Sequence, residues 1–290
     1  MGQLFVVCNA RTQDVMMNLK KILIRRVSME PVPFRISSIS PRARMTYFAH
    51  LFKACVKQHH KEMQPILSRL LPEDGVVFDI GAHAGQFTKL FSKMVPQGHV
   101  YAFEPGSYAL SILKKALWFN RIRNATILPF GFGDAEDRRI LSMPIKASGS
   151  CGFGTTHLGE AQADGQFINE EVYITTVDKI VEVRELERLD FIKADIEGWE
   201  MRMLVGAKQT LETLKPALLI EMTAHALARA GDTPKSLSDY LWGLGYQPYA
   251  PSDEVLDFLP VSSLAEGDVF WLQPHHLDRV REIPATGPAA

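Results

Sequence analysis

The chain is poor in cysteine: Cys8, Cys55 and Cys151 are three in 290 residues, and none forms a CxxC pair. An odd, scattered set excludes a disulfide framework and a cysteine zinc site. A reducing, cytoplasmic location is the simplest expectation. Long apolar runs are also missing, and nothing approaches the roughly eighteen residues that a membrane span needs. The opening MGQLFVVCNARTQDVMMN has no basic leader or apolar h-region, and no Ser or Thr stands sixth, so neither a secretory nor a myristoyl signal is expected. GxGxxG, the P-loop lysine and hydroxyl, and a Tyr-x-x-x-Lys relay are absent. Those absences count against an NAD-dependent Rossmann oxidoreductase or epimerase. The Asn/Asp-Pro-Pro-aromatic block of many nucleic-acid methyltransferases is missing too, so no nucleic-acid partner is expected.

What is present is an apolar share of 46%, enough for a core that needs neither disulfide nor metal. The net charge of −1 hides an asymmetry. Residues 1–70 carry 12 Lys and Arg against three acids, and the remainder carries 20 against 30. A basic head on an acidic body reads either as a helical cap docked on an acidic domain or as a peripheral contact for an anionic partner or membrane surface.

KKILIRRV reads as part of a basic amphipathic helix that Pro31 and Pro33 end. From Pro41, RARMTYFAHLFKACVKQHHKEMQPILSRLL has helical spacing and restarts at Pro65. Beyond Pro72 the pattern changes. Short apolar runs at 76–80, 99–104, 125–130, 190–196 and 217–222 alternate with amphipathic stretches at 86–95, 107–120, 199–213 and 235–244. That rhythm means a parallel sheet with helices on both faces. Residues 138–176 read as an antiparallel insertion whose Gly/Ser-rich tip, SGSCGFGTTHL (148–158), is either a lid or a plain hairpin end. GYQPYA and DVFWLQP read as a terminal hairpin closing one sheet edge. The expected organisation is a helical extension over 1–70, a catalytic domain over 71–275 and a tail over 276–290.

In an open α/β sheet, ligands bind outside the carboxyl ends of the strands. Those ends carry Asp79 with Gly81, Ala82 and Gly85, then Glu104 with Pro105, then Gly133 and Asp134. Asp195 with Glu197, and Glu221, follow. Gly81 permits the strand-to-helix bend, and Gly85 lets backbone approach a ligand. Glu104 is placed to accept hydrogen bonds from both ribose hydroxyls, in NAD and S-adenosylmethionine alike. Charge separates the two. A pyrophosphate wants bare N–H groups at a helix N-terminus and no carboxylates nearby. At an effective dielectric of about 20, one carboxylate about 4 Å from a phosphate charge costs on the order of 4 kcal/mol. A sulfonium cation meets the opposite field, so the cofactor expected is S-adenosylmethionine.

The blocks FDIGAHAGQFT, AFEP, GFGDAED, ITTVDKI, FIKADIEGWEMRMLVGA and LLIEM resemble the FkbM-type family of S-adenosylmethionine-dependent methyltransferases. DFIKADIEGWE is the most specific of them, and the first two are shared by many class I methyltransferases. The resemblance implies an α/β, Rossmann-like class I fold: a seven-stranded, mostly parallel sheet with an antiparallel last strand, here behind an N-terminal helical extension. It implies cofactor contacts from Asp79, Gly81 and Glu104, and an adenine contact from Asp134. It implies hydroxyls of a small molecule or glycan as acceptors. Where relatives often carry Asn before the Asp134 turn, this chain has Gly131.

Methyl transfer from a sulfonium is an in-line displacement, and alignment alone supplies roughly 7–11 kcal/mol. A hydroxyl acceptor also needs a base. Asp195 and Glu197, two apart at a strand end, face one side and are the first candidates. Asp195 has two rival roles: binding the methionine ammonium, or holding a divalent ion with Glu221. His225 is a second base candidate, titrating near working pH. Glu200 caps the following helix. His59–His60 and His275–His276 read as solvated pairs with no third ligand at metal spacing, so no metal-binding residue is named and a divalent ion is not favoured. N-methylation stays open beside O-methylation, and oligomeric state has no readable code.

Overall fold

The computed structural model of the chain describes residues 33–145, 157–158, 166–252, 257–261 and 266–282. KKILIRRV and most of the Gly/Ser-rich tip lie outside them. Eight strands form the main sheet: β1 (Val76–Ile80), β2 (His99–Phe103), β3 (Ala125–Leu128), β8 (Phe191–Ala194), β9 (Ala217–Met222), β10 (Gln247–Ser252), β11 (Asp257–Pro260) and β12 (Gly267–Leu272). Their order is β11-β10-β12-β9-β8-β1-β2-β3. The five strands from β3 to β9 are parallel. β12 slots in antiparallel between β9 and β10. This is the expected mostly parallel sheet with an antiparallel last strand, and one strand more. The sheet has eight strands rather than seven because DFLP (257–260) pairs antiparallel with β10 and covers its open edge.

Side-chain alternation divides the core into two layers. Phe78, Ile192, Leu218 and Trp271 face one side, and their neighbours Val77, Phe191, Leu219 and Phe270 face the other. Because both faces are buried, the strands read as nearly continuous apolar runs.

Ten α-helices are described: α1 (Pro41–Val56), α2 (Gln64–Leu70), α3 (Gln86–Met94), α4 (Ser107–Phe119), α5 (Val177–Val183), α6 (Glu200–Val205), α7 (Lys208–Thr213), α8 (Ala224–Arg229), α9 (Pro234–Gly243) and α10 (Pro274–Glu282). Ser40 caps α1, its Oγ accepting from the Ala43 N–H at 3.2 Å, with Pro41 in the first turn. Ala43, Tyr47 and Ala54 turn inward onto Tyr108, Ile112 and Ala116 of α4. At the other end the buried Lys89 of α3 donates from Nζ to the Ala54 and Lys57 carbonyls, at 2.6 and 2.7 Å. A cation on the otherwise unpaired carbonyls of a last turn is the favourable arrangement. Among the described residues no helix is long and apolar enough to cross a membrane.

The stretch 199–213, expected as one helix, is two. The break falls at Gly206, where a Cβ would lie 2.1 Å from the Gly133 carbonyl oxygen. The insertion is an antiparallel pair, β5 (Asp137–Ile145) with β7 (Gln166–Thr175), flanked by β6 (His157–Leu158) and β4 (Gly131–Phe132). Residues 274–282 form one helix that runs across the expected boundary at 275. α10 packs Leu277 and Val280 among Ile66, Leu67 and Leu70 of α2. His276, read from sequence as half of a solvated pair, is buried instead. Its Nδ1 accepts from the Gln273 N–H at 2.9 Å, and its Nε2 lies 3.1 Å from the Lys215 carbonyl. Burial drives its pKa down to about 3.

Candidate active site

A cavity of about 430 Å³ opens at the carboxyl ends of β1, β2, β8 and β9, a usual size for a small-molecule site. Its lining brings together Asp79, Gly81, Ala82, Glu104, Pro105, Asp195, Glu197 and Glu221. Four expected residues lie elsewhere. Gly85 has φ of +82° at the start of α3, and a Cβ there would lie 2.6 Å from Leu113 Cδ1. The left-handed φ and the approach of Leu113 together demand a glycine there. Gly133 is packed against Ile174 and Trp199. Asp134 is exposed and turned to Arg202, whose Nη1 lies 3.7 Å away. His225 is exposed on the first turn of α8.

The β1 turn is built from inside. Gly81 has φ of +73°, and a Cβ there would sit 1.9 Å from the Asp195 carbonyl oxygen. The Gly81 and Ala82 N–H groups donate to the Phe103 carbonyl, at 3.1 and 2.9 Å. Gly85 N–H donates to the Ala82 carbonyl at 2.8 Å. His83 N–H donates to Glu104 Oε2 at 2.9 Å, and Gly106 N–H to Glu104 Oε1 at 2.9 Å. The turn therefore spends these amides on the protein, where a pyrophosphate site would leave them bare. Asp79 is fully buried; Thr88 Oγ1 donates to its Oδ2, while Oδ1 has no hydrogen-bond partner. An orphaned carboxylate oxygen at the cavity wall fits a cationic group. Burial raises the pKa of Asp79, against the pull of Lys193 and Thr88. Burial also takes Glu104 up to about 7, although its two backbone donors pull the other way.

Lys193, not singled out in the sequence, lies at the centre of these acids. It is buried, with Nζ 3.3 Å from both Asp195 Oδ2 and the Gly81 carbonyl oxygen, and 5.3 Å from the Phe87 ring centre. Burial works against its charge, but Asp195 and Asp79 outweigh burial and raise its pKa. Lys193 stands two residues before Asp195 on β8, so strand alternation put it on the same side. Asp195 is raised by burial and pulled down further by Lys193 and a hydrogen bond with Glu221, ending below the usual range. Burial and the nearby Asp195 push Glu221 up to about 8. At neutral pH the pair holds one proton and one negative charge.

β8 ends at Ala194, so Glu197 reaches the cavity by a tight turn rather than by strand alternation, with φ of +55° at Glu197 and +106° at Gly198. Glu200 holds that turn from below. Its buried Oε1 accepts from the Ile196 and Gly198 N–H groups, at 2.9 and 3.3 Å. Arg229 Nη2 lies 3.6 Å from Glu197 Oε2. Phe34, His60, Leu141, Met143, Ile168 and Glu170 add to the wall. His60, read as solvated, stacks on Phe87 with ring centres 4.3 Å apart. Among the described residues no group of three or more His, Cys, Asp or Glu is disposed to hold a metal ion.

A model of the methyltransferase FkbM domain matches residues 79–248. Hexuronic acid methyltransferase AglP of Haloferax volcanii is 26% identical over 171 residues, covering 58% of this chain and 63% of its own length. Methyltransferase 1 of Beauveria bassiana is 24% identical over 147 residues, covering 47% and 59%. AMB antimetabolite synthetase AmbE of Pseudomonas aeruginosa is 23% identical over 220 residues, covering 65% and 10%. The chain thus spans less than two thirds of each of these curated relatives. Among solved structures, methyltransferase FkbM from Methylobacillus flagellatus matches with a TM-score of 0.44 at 15% identity, covering 78% of this chain and 59% of that one.

Proposed function

Because the chain belongs to the FkbM methyltransferase domain family, we propose that it transfers a methyl group from S-adenosylmethionine to a hydroxyl of a small molecule or sugar. The observation that carries this reading is the β1 turn. Its amides are engaged within the protein, and the wall beside it presents an unpaired Asp79 oxygen and the Glu104 carboxylate. That chemistry suits a positively charged, phosphate-free donor. When bound, the donor supplies a methyl group already activated on a cationic sulfur.

Glu104 accepts from the ribose hydroxyls, and Asp79 faces the cationic end. Asp195, kept ionised beside Lys193, accepts the hydrogen bond of the acceptor hydroxyl and so orients its lone pair. On methyl transfer the acceptor hydroxyl proton would become strongly acidic, and a weak base would be enough to take it. Asp195 therefore receives the proton, and its partner Glu221 holds the pair at one negative charge until then. Lys193 fixes Asp195 against the Gly81 carbonyl. His225 has no part in this scheme, since it stands outside the cavity lining. The relative that acts on a hexuronic acid supports including sugars and uronic acids among candidate acceptors.

The test is an acceptor panel read by formation of S-adenosylhomocysteine. Asp195→Asn should lower turnover by roughly 100-fold or more while leaving S-adenosylhomocysteine affinity within about threefold. Equal losses in both would remove Asp195 as the base, and failure of calorimetry to detect either form of the donor would reject the reading.

A further inference from the structure

We propose that the outer face of α1, with the end of α4, docks on an anionic lipid surface. Met45, Phe48, Phe52 and Val56 recur at intervals of three and four, which is one stripe of a helix. The stripe faces away from the core: Phe48 is 56% exposed and Phe52 66%. Trp118 and Phe119 at the end of α4 are 81% and 56% exposed. Asn120 Nδ2 donates to the Cys55 carbonyl at 3.1 Å, so the last turns of the two helices lie side by side. The stripe and the aromatic pair therefore meet on one flank. Six large apolar side chains gathered there are more than the scattered singles of an ordinary surface.

Charge identifies the occupant. Residues 41–61 contain Arg42, Arg44, Lys53, Lys57 and Lys61 and no acid. Residues 105–133 contain Lys114, Lys115, Arg121 and Arg123 and no acid. Cations around exposed aromatic and aliphatic groups match a headgroup layer, with rings at the acyl boundary and Lys and Arg at the phosphates. A second copy would set these same charges against each other. Residues 1–32 hold five cations against two acids, so their net charge does not complement this flank. Single-stranded nucleic acid stacks its bases on flat rings, and Met45 and Val56 offer none.

The start of α4 walls the cavity, with α1 packed behind it. Tyr47 stacks on Phe34 at 5.6 Å and meets Tyr108 edge-on at 5.4 Å, and Phe34 and Tyr108 line the cavity. Docking by the outer face holds the cavity beside the bilayer, which suits an acceptor carried on a lipid.

The experiment is cosedimentation of the full chain with vesicles of phosphatidylglycerol in phosphatidylcholine, against phosphatidylcholine alone. The chain should pellet with the anionic vesicles and less so as salt rises. Phe48→Ser, Phe52→Ser and Trp118→Ser together should weaken this at least about tenfold with an unchanged melting temperature, because the removed groups are exposed. The proposal is overturned if the chain ignores both vesicles or binds them equally. It is overturned too if the triple variant binds like the parent, or if deleting residues 1–32 alone abolishes binding. A dimer dispersed by the triple variant, or retention of poly-uridylate in place of vesicles, would reassign the flank. Vesicle binding is read without any methyl transfer, so it stands or falls apart from the reaction.

Discussion

Glu104 shows what burial does to a carboxylate that must still bind. Burial pushes its pKa up to about 7, so it exchanges its proton around neutral pH. In the proposed role, ribose hydroxyls donate more strongly to the ionised form, which accepts through both oxygens, so proton and cofactor compete. S-adenosylhomocysteine affinity should therefore be constant above this pKa and weaken below it, by up to about tenfold per pH unit. Glu104→Gln should bind more weakly and lose that slope, which calorimetry at several pH values will read. His276 carries the opposite sign for stability. It stays neutral in the fold down to about pH 3, whereas the unfolded chain takes its proton near 6.5. Its contribution is complete above pH 6.5 and drains away as pH falls, at up to about 1.4 kcal/mol per unit. His276→Gln should cost stability at neutral pH and progressively less towards pH 4, as followed by denaturant unfolding. These residues differ in how far sequence revealed them. Glu104 follows a strand end and was legible. His276 looked like one of a surface pair, and only the backbone groups around it, from segments distant in the chain, make it internal. Lys193 carried a usable signal, its spacing from Asp195, but a lysine inside an apolar run gives no hint that acids from other strands surround it.

Elements were legible where hydrophobic pattern and punctuation agreed. β1 and β9 begin and end where their apolar runs do. The break between α6 and α7 was not legible, because its cause is the approach of the Gly133 backbone from another element. The docking of α1 likewise depends on a residue from elsewhere. Lys89→Met keeps the aliphatic stem but leaves two carbonyls without their donor. It should cost about 1–3 kcal/mol and raise hydrogen exchange over 41–56 while β1 and β8 stay protected; uniform exchange behaviour would show that α1 is held by packing alone. The inserted hairpin is tied down at one point near the site. Glu170 Oε2 on β7 accepts from the Ser107 N–H at the start of α4, at 3.0 Å. Negative charge is favoured at that end of a helix. Glu170→Ala should loosen the wall made by Leu141, Met143 and Ile168, raising the acceptor KM several-fold with donor affinity near the parent's. A change in donor affinity alone would place the hairpin's role elsewhere.

At the scale of the molecule, the two faces of the sheet are closed by pieces far apart in sequence. α2 and α10 come together under the second layer, with Arg69 Nη2 donating to the Val280 carbonyl at 2.5 Å. The nine residues of α10 offer few apolar positions, so the sequence pattern passed over them. Removing residues 274–290 should expose Leu277, Val280 and their partners, at about 1.5–3 kcal/mol for each buried side chain. The melting temperature should fall by roughly 10 °C or more, and an unshifted melt would mean that α10 is dispensable. The asymmetry of charge between head and body was visible in sequence; its arrangement around an apolar stripe needed the helices in place. The contact between Gly81 and the Asp195 carbonyl has a practical meaning for anyone redesigning this protein. In the proposed function these are the donor side and the acceptor side; they touch through main chain with no room for even a methyl group, so neither can be recut without disturbing the other. New substrates are better sought by varying the hairpin and the His60 wall, which border the same cavity without sharing that seam.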